Sequence, residues 1–192
     1  MAFLYGNLSP KNCPLFWDGM KYYYNAGVNA GRLNTTRLHD FSDFLMNNTI
    51  MTDTPSFSTR LMTRANNLFD GDTVLRVVTD PLFVTNCTTF QNAFRNCYQL
   101  EEIRFEGQLK QNVDLHYSTQ LSIESVLSIC YSMYSGINRQ LQLSTSISTY
   151  ATEYVKINST NDGLVVCSSS DPETLGTLAQ YVTGKSWVLT FI

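Results

Sequence analysis

His39, Asp40 and Asp43 form the one local group of ligand-type side chains in this chain, and on a helix His39 and Asp43 would share a face four residues apart. A metal centre needs three or four protein ligands. No third ligand is placed beside them, so the group reads as a solvated surface. Glu101, Glu102 and Glu106 suggest the paired carboxylates of glycoside cleavage. Adjacent strand residues point to opposite faces, however, and the pair Glu101–Glu102 reads as surface. Five cysteines (Cys13, Cys87, Cys97, Cys130 and Cys167) are widely spaced, show no zinc spacing, and are expected to be reduced. With two histidines in the chain, His116 lying beside Tyr117, no Cys/His or Ser/His/Asp arrangement is signalled. A Gly-rich phosphate loop is absent too. The expectation is no catalytic residue, no cofactor-binding residue, no metal ligand, no cofactor, and no enzyme.

What positions these residues is a 25-residue register. Phe94-Arg95-Asn96-Cys97-Tyr98-Gln99-Leu100-Glu101-Glu102-Ile103-Arg104-Phe105 reads as Phe-x-x-Cys-x-x-Leu-x-x-Ile-x-Phe. One step back, Phe69, Leu75 and Val78 fall in the same slots; a second step brings Phe44, Ile50 and, against the pattern, Asp53. The Cys slot holds Asp72 and Asn47 in those copies, and a fourth copy, Leu115 to Leu121, is shifted to a 21-residue step. Fixed self-similarity at this period argues for stacked units that bury their apolar faces on one another. Asn67 and Asn92 recur at one position, where an Asn side chain suits a turn. Phe94→Ala and Leu100→Ala are each expected to cost about 3 kcal/mol.

The Phe94–Phe105 copy resembles the leucine-rich repeat of the BspA-like class, found in surface proteins of gut and oral bacteria and in structural proteins of their phages. Segments Leu121–Leu127, Gln140–Leu143 and Gly184–Leu189 resemble the terminal helix-and-strand units of phage-associated members. The resemblance implies an α/β fold: a short leucine-rich-repeat solenoid of about 25-residue coils, a helix–strand C-terminal cap and an aromatic N-terminal segment.

Three regions follow. Residues 1–41 carry Trp17, Tyr22, Tyr23 and Tyr24, an aromatic group that serves either as a cap over the first coil or as an attachment segment contacting a partner. Residues 42–121 hold the repeats, punctuated by Asp53-Thr54-Pro55 and Thr79-Asp80-Pro81. Residues 122–192 alternate helix and strand. Ser122 is the N-cap of a helix carrying Ile123, Val126, Leu127, Cys130 and Met133, closed by Gly136. Gln140–Ser144 is a strand, Thr149–Val155 a weak helix, and Leu164–Cys167 a strand. Asp171-Pro172-Glu173 opens a last helix stopped at Gly184, and Ser186–Ile192 is a final strand.

Composition narrows the function. Of 192 residues, 43% are hydrophobic but only 15% charged, well below the usual quarter. Asn, Gln, Ser, Thr and eleven Tyr take the place of charge, a surface suited to packing into an assembly or adhering to something. A net charge of −3 argues against nucleic-acid binding, which needs clustered Lys and Arg. No apolar run reaches membrane-spanning length, and the N-terminus lacks a basic region followed by an apolar core, so no secretory signal is expected. The expected role is a non-enzymatic structural or binding protein of a phage virion (tail, baseplate, fibre or head decoration). Its expected location is the virion, in multiple copies among other virion proteins and with a host glycan or protein as a further partner. A bacterial surface adhesin module, placed at the cell surface, is the alternative.

Overall fold

The structure, a computed structural model, describes residues 35–49, 51–158, 160 and 163–192. From Thr35 to Phe105 the chain is built of turns laid one on another. Phe41, Asp43, Leu45 and Asn47 donate their amides to the carbonyls of Arg64, Asn66, Leu68 and Asp70. Ala65, Asn67, Phe69 and Gly71 donate in the same way to Thr89, Gln91, Ala93 and Arg95. Parallel bridges join Asp40 to Arg64 to Thr89 and Asp53 to Val77 to Glu102.

These bonds set the first step at 24 residues and the second at 25. Leu45, not Phe44, therefore lies under Phe69 and Phe94; Met51 lies under Leu75 and Leu100, and Thr54 under Val78 and Ile103. All of these are buried, so the sequence slot given to Asp53 belongs to Thr54. Ile50 lies outside the described residues. The recurring Asn positions have a backbone cause. Asp43, Asn67 and Asn92 have φ of 59°, 54° and 56°, and four residues on Asn47, Gly71 and Asn96 have φ of 63°, 82° and 64°. This left-handed region is open to Gly and tolerated by Asn and Asp.

Those left-handed residues also explain why the expected leucine-rich-repeat solenoid is wrong. A continuous curved sheet needs extended backbone in register from coil to coil. Here each turn carries two left-handed residues four positions apart, and pairing shrinks to short bridges. β1 (Leu82–Phe83) and β2 (Phe105–Glu106) pair in parallel over two residues, starting just after Pro81, which has no N–H to contribute. Beyond them the period is lost. β3 (Val113–Leu115), β4 (Arg139–Leu143) and β7 (Trp187–Phe191) form a parallel sheet in the order β3-β4-β7. β5 (Val155–Asn158) and β6 (Gly163–Val166) form an antiparallel hairpin. Three separate, uncurled sheets make a compact mixed α/β domain, with no virion-like architecture among the described residues.

Helix α1 (Ile123–Ser132) is capped by Ser122, whose Oγ accepts from the Ser125 amide. It ends at Met133, before Gly136. A 3-10 segment covers Thr145–Thr152, where a weak helix through Val155 was expected; Val155 instead opens β5. Helix α2 (Leu178–Gly184) starts later than the Asp171-Pro172-Glu173 signal. Thr177 and Gln180 form a reciprocal capping box there, while Asp171 closes a turn through its hydrogen bond from the Glu173 amide. A single apolar core runs from Leu38 to Trp187, with a stack of phenylalanines (Phe41, Phe44, Phe57, Phe69, Phe94 and Phe105) along its first half.

Candidate functional site

Helix α1 closes the open edge of the turn stack by side-chain chemistry. Ser125 Oγ accepts from the Ile103 amide at 3.0 Å and donates to the Glu101 carbonyl at 3.1 Å. Ser128 Oγ accepts from the Phe105 amide at 3.0 Å and donates to the Phe105 carbonyl, to which Ser132 Oγ also donates. Serines at i, i+3 and i+7 lie on one helix face, so they satisfy main chain that a further strand would otherwise pair.

Beside this junction lies a cleft of about 790 Å³. Phe83, Phe105 and Leu127 provide apolar wall, β6 from Gly163 to Val166 forms the opposite side, and Glu106, Gln108 and Glu124 stand around it. Both carboxylates are exposed, and among the described residues no ion pair or side-chain hydrogen bond engages either. Such a size and apolar character, with a few polar groups, are those of a ligand or peptide site.

A second surface feature lies at the turns of residues 96–117. Tyr98, 43% exposed, packs edge-on against Tyr117 at 5.9 Å, and its hydroxyl donates to Asn96 Oδ1 at 3.0 Å. His116 lies against Tyr117 with ring centroids 3.8 Å apart, and its Nδ1 is 2.6 Å from Asp114 Oδ1. This Asp–His pair orients an imidazole. The nearby Ser118 hydroxyl is buried and donates to the Cys97 carbonyl, so it is engaged elsewhere than at the imidazole.

Of the residues singled out by sequence, Glu106 lies on the cleft, and Asp40, Asp43 and Glu101 are held in contacts between turns. Asp40 pairs with Arg64 at 3.5 Å, and Asp43 Oδ1 accepts from Asn67 Nδ2 at 2.8 Å in a left-handed turn, not on a helix. Among the described residues no group of three or more His, Cys, Asp or Glu is arranged to hold a metal. Glu101 is held in a two-point pair by Arg76 (3.0 and 2.7 Å), which keeps its carboxyl below the ordinary range. Cys87, Cys97, Cys130 and Cys167 are free thiols; burial pushes Cys87 up to about 11 and Cys130 to about 12, so both are inert at neutral pH. Trp17, Tyr22, Tyr23 and Tyr24, the expected partner contacts, lie outside the described residues, as does Cys13. Among the described residues no helix is long and apolar enough to cross a membrane.

The cleft itself was missed in the sequence. Its signal was the alternation of Val155, Lys156 and Ile157 ahead of Asp162-Gly163, a pair typical of hairpins. No family model, no curated protein and no solved structure matches this chain.

Proposed function

We propose that this chain is a non-enzymatic protein that holds a partner within a larger assembly. The phage particle is the first setting, in which it would occur in several copies among other particle proteins. A bacterial surface module binding glycan or host protein is the alternative. The observation that carries the reading is the composition of the cleft. Its Ser128 and Ser132 hydroxyls are taken up by main chain, and what stays open is apolar wall, a strand edge and two water-exposed carboxylates. That equipment suits recognition better than bond breaking. The low charge and the wealth of Asn, Thr and Tyr support the same role, since Tyr offers large contact area at low entropic cost.

The test is to isolate the chain from its source and image whatever contains it. Ordered, symmetric copies embedded in a particle are the expected result. A chain found on a cell envelope sinks the particle setting and favours the surface module, and a monomer found free of both sinks the reading altogether.

A further inference from the structure

The phase of the β5–β6 hairpin leaves one strand edge open toward the cleft. The Cys167 amide donates to the Tyr154 carbonyl at 2.8 Å, so Tyr154 and Cys167 are a hydrogen-bonded pair. Pairs alternate along an antiparallel ladder. Given the register Val155↔Val166 and Ile157↔Leu164, the main-chain groups of Leu164 and Val166 therefore point away from β5. The other side of the hairpin confirms the phase: Val155 donates to Gly176 at 3.0 Å and accepts from Leu175 at 2.8 Å, so the outer edge of β5 is covered at Val155. Among the described residues no such cover lies on β6. Among the described residues nothing bonds the outward amides and carbonyls of Leu164 and Val166, and both residues line the cleft.

We propose that the cleft receives an extended basic peptide segment of a partner protein, added as a strand to the edge of β6, with Glu106 and Glu124 taking its Lys or Arg side chains. This deepens the partner-holding reading above and rests on it. An unpaired strand edge is a template for another chain, and strand addition draws affinity from main-chain bonds and specificity from alternate side chains. Alternation fits this cleft. Side chains on one face of the added strand meet Phe83, Phe105 and Leu127, and those on the other face reach the rim. Glu106 and Glu124 are the charged residues of the cleft among those described, and they give the rim one sign of charge, which selects a basic occupant over an acidic one. Glu124 also sits in the first turn of α1, where a carboxylate favours the helix, so its substitution is read by binding and not by stability.

The experiment is selection of a randomised seven-residue peptide library on the full chain, repeated on the double variant E106Q/E124Q. Lys and Arg are expected to be enriched at alternate positions with the wild type, and that enrichment to vanish on the variant. The best peptide should lose at least tenfold in affinity on E106Q/E124Q, and a similar factor when its alternate amides are N-methylated. On binding, exchange of the Leu164 and Val166 amides should slow at least tenfold. Overturning results are an empty selection, enrichment of acidic or uncharged sequences, a second copy of the chain as the occupant, or affinity unchanged by N-methylation. The partner-holding reading fails separately: a free monomer bound to no particle or envelope sinks it whatever the library yields.

Discussion

The stretch from Thr35 to Phe105 and the stretch from Ile123 to Phe191 share one core but hold their backbone in opposite ways. In the first, almost no residue belongs to a strand, yet each turn is bonded to the next at steps of 24 and 25 residues, through main chain and through side chains such as Asn67 to Asp43, Arg95 to Asp70 and Thr79 to Thr54. Its polar groups face copies of themselves, so the interior of the stack leaves few edges. In the second, a helix, a three-stranded sheet, a 3-10 segment and a hairpin meet as unlike pieces. Unlike pieces do not tile, and the gap they leave is the cleft. Regular stacking gives a sealed body; irregular closure gives a place to bind.

The largest effect that would break this comparison is expected in the phenylalanine stack. Phe94 is fully buried and packs against Phe69, Phe90 and Phe105 at ring distances of 5.8, 5.6 and 6.2 Å. Phe94→Ala should cost about 3–5 kcal/mol in a urea titration, because neighbours held on both sides cannot collapse into the cavity. Leu164→Ala, on the cleft wall and 7% exposed, should cost less than Phe94→Ala. Equal costs would mean that the stack is no more tightly held than the hairpin.

Glycine substitutions sharpen the same contrast at smaller scale. Gly71 has φ +82°, and a Cβ there would collide with Asn47 Oδ1 in the turn beneath; Gly136 has φ +81° with nothing within 4 Å. Gly136→Ala should cost about 1 kcal/mol, the left-handed penalty alone. Gly71→Ala should cost more, about 2 kcal/mol, since Asn47 must also move against its own turn. Thermal unfolding of the two variants side by side checks this.

Which parts of this could be read in the residues follows from the same physics. The column Phe69–Phe94, the buried Leu75 and Leu100, and the Asn at turns were visible because each repeats a side-chain requirement at a fixed spacing. The one-residue shift of the first copy was not visible, because Phe44 offered a false match while the true occupant, Leu45, is also apolar. The solenoid was implied by a resemblance resting on the Phe-x-x-Cys-x-x-Leu-x-x-Ile-x-Phe spacing, which sets only which side chains point inward. Left-handed residues four positions apart in each turn decide how much backbone can pair, and Asn47 or Asn96 carry no mark that separates a turn from a loop. β5 escaped because Val155 was absorbed into a helical reading of Thr149–Val155. The cleft depends on where unlike elements stop, which no local pattern records.

A pH titration probes a column of the stack that holds a buried carboxylate. Asn48, Asp72 and Cys97 fill equivalent buried places, and Asp72 Oδ1 accepts from the Asn48 amide at 2.6 Å while its Oδ2 has no hydrogen-bond partner. Burial, opposed in part by that bond and assisted by the nearby Asp70, raises the Asp72 carboxyl from its ordinary 3.8 to about 9. A raised acid favours folding only while protonated. Its contribution is complete below 3.8 and is lost as pH rises toward 9. Asp72→Asn should flatten that decline and raise stability above pH 8 by on the order of 1 kcal/mol, reduced by the unpartnered amide it introduces. A wild-type profile flat between pH 5 and 9 would refute the assignment.

The smallest effect is expected where both regions look most strongly tied, at their surface ion pairs. Arg76 meets Glu101 through two bonds across adjacent turns, while Lys156 meets Asp171 at 2.8 Å and Glu173 at 3.6 Å beside the hairpin. The Arg76 pair is exposed, so it is screened by salt and gains little over hydration, while the Lys156–Asp171 pair is half-buried. The Arg76 guanidinium lowers Glu101, so whatever the pair adds is present at neutral pH and lost as pH falls through the lowered value. Arg76→Ala should leave the urea midpoint unmoved within error, because Glu101 and Glu102 still donate their amides to the Arg76 carbonyl whatever the side chain. Lys156→Ala should move the midpoint further, since it leaves Asp171 and Glu173 facing each other without their shared cation. If Arg76→Ala instead destabilised as much as Gly71→Ala, the turns would be held by their charges, and the contrast between a backbone-sealed stack and a side-chain-closed end would fail.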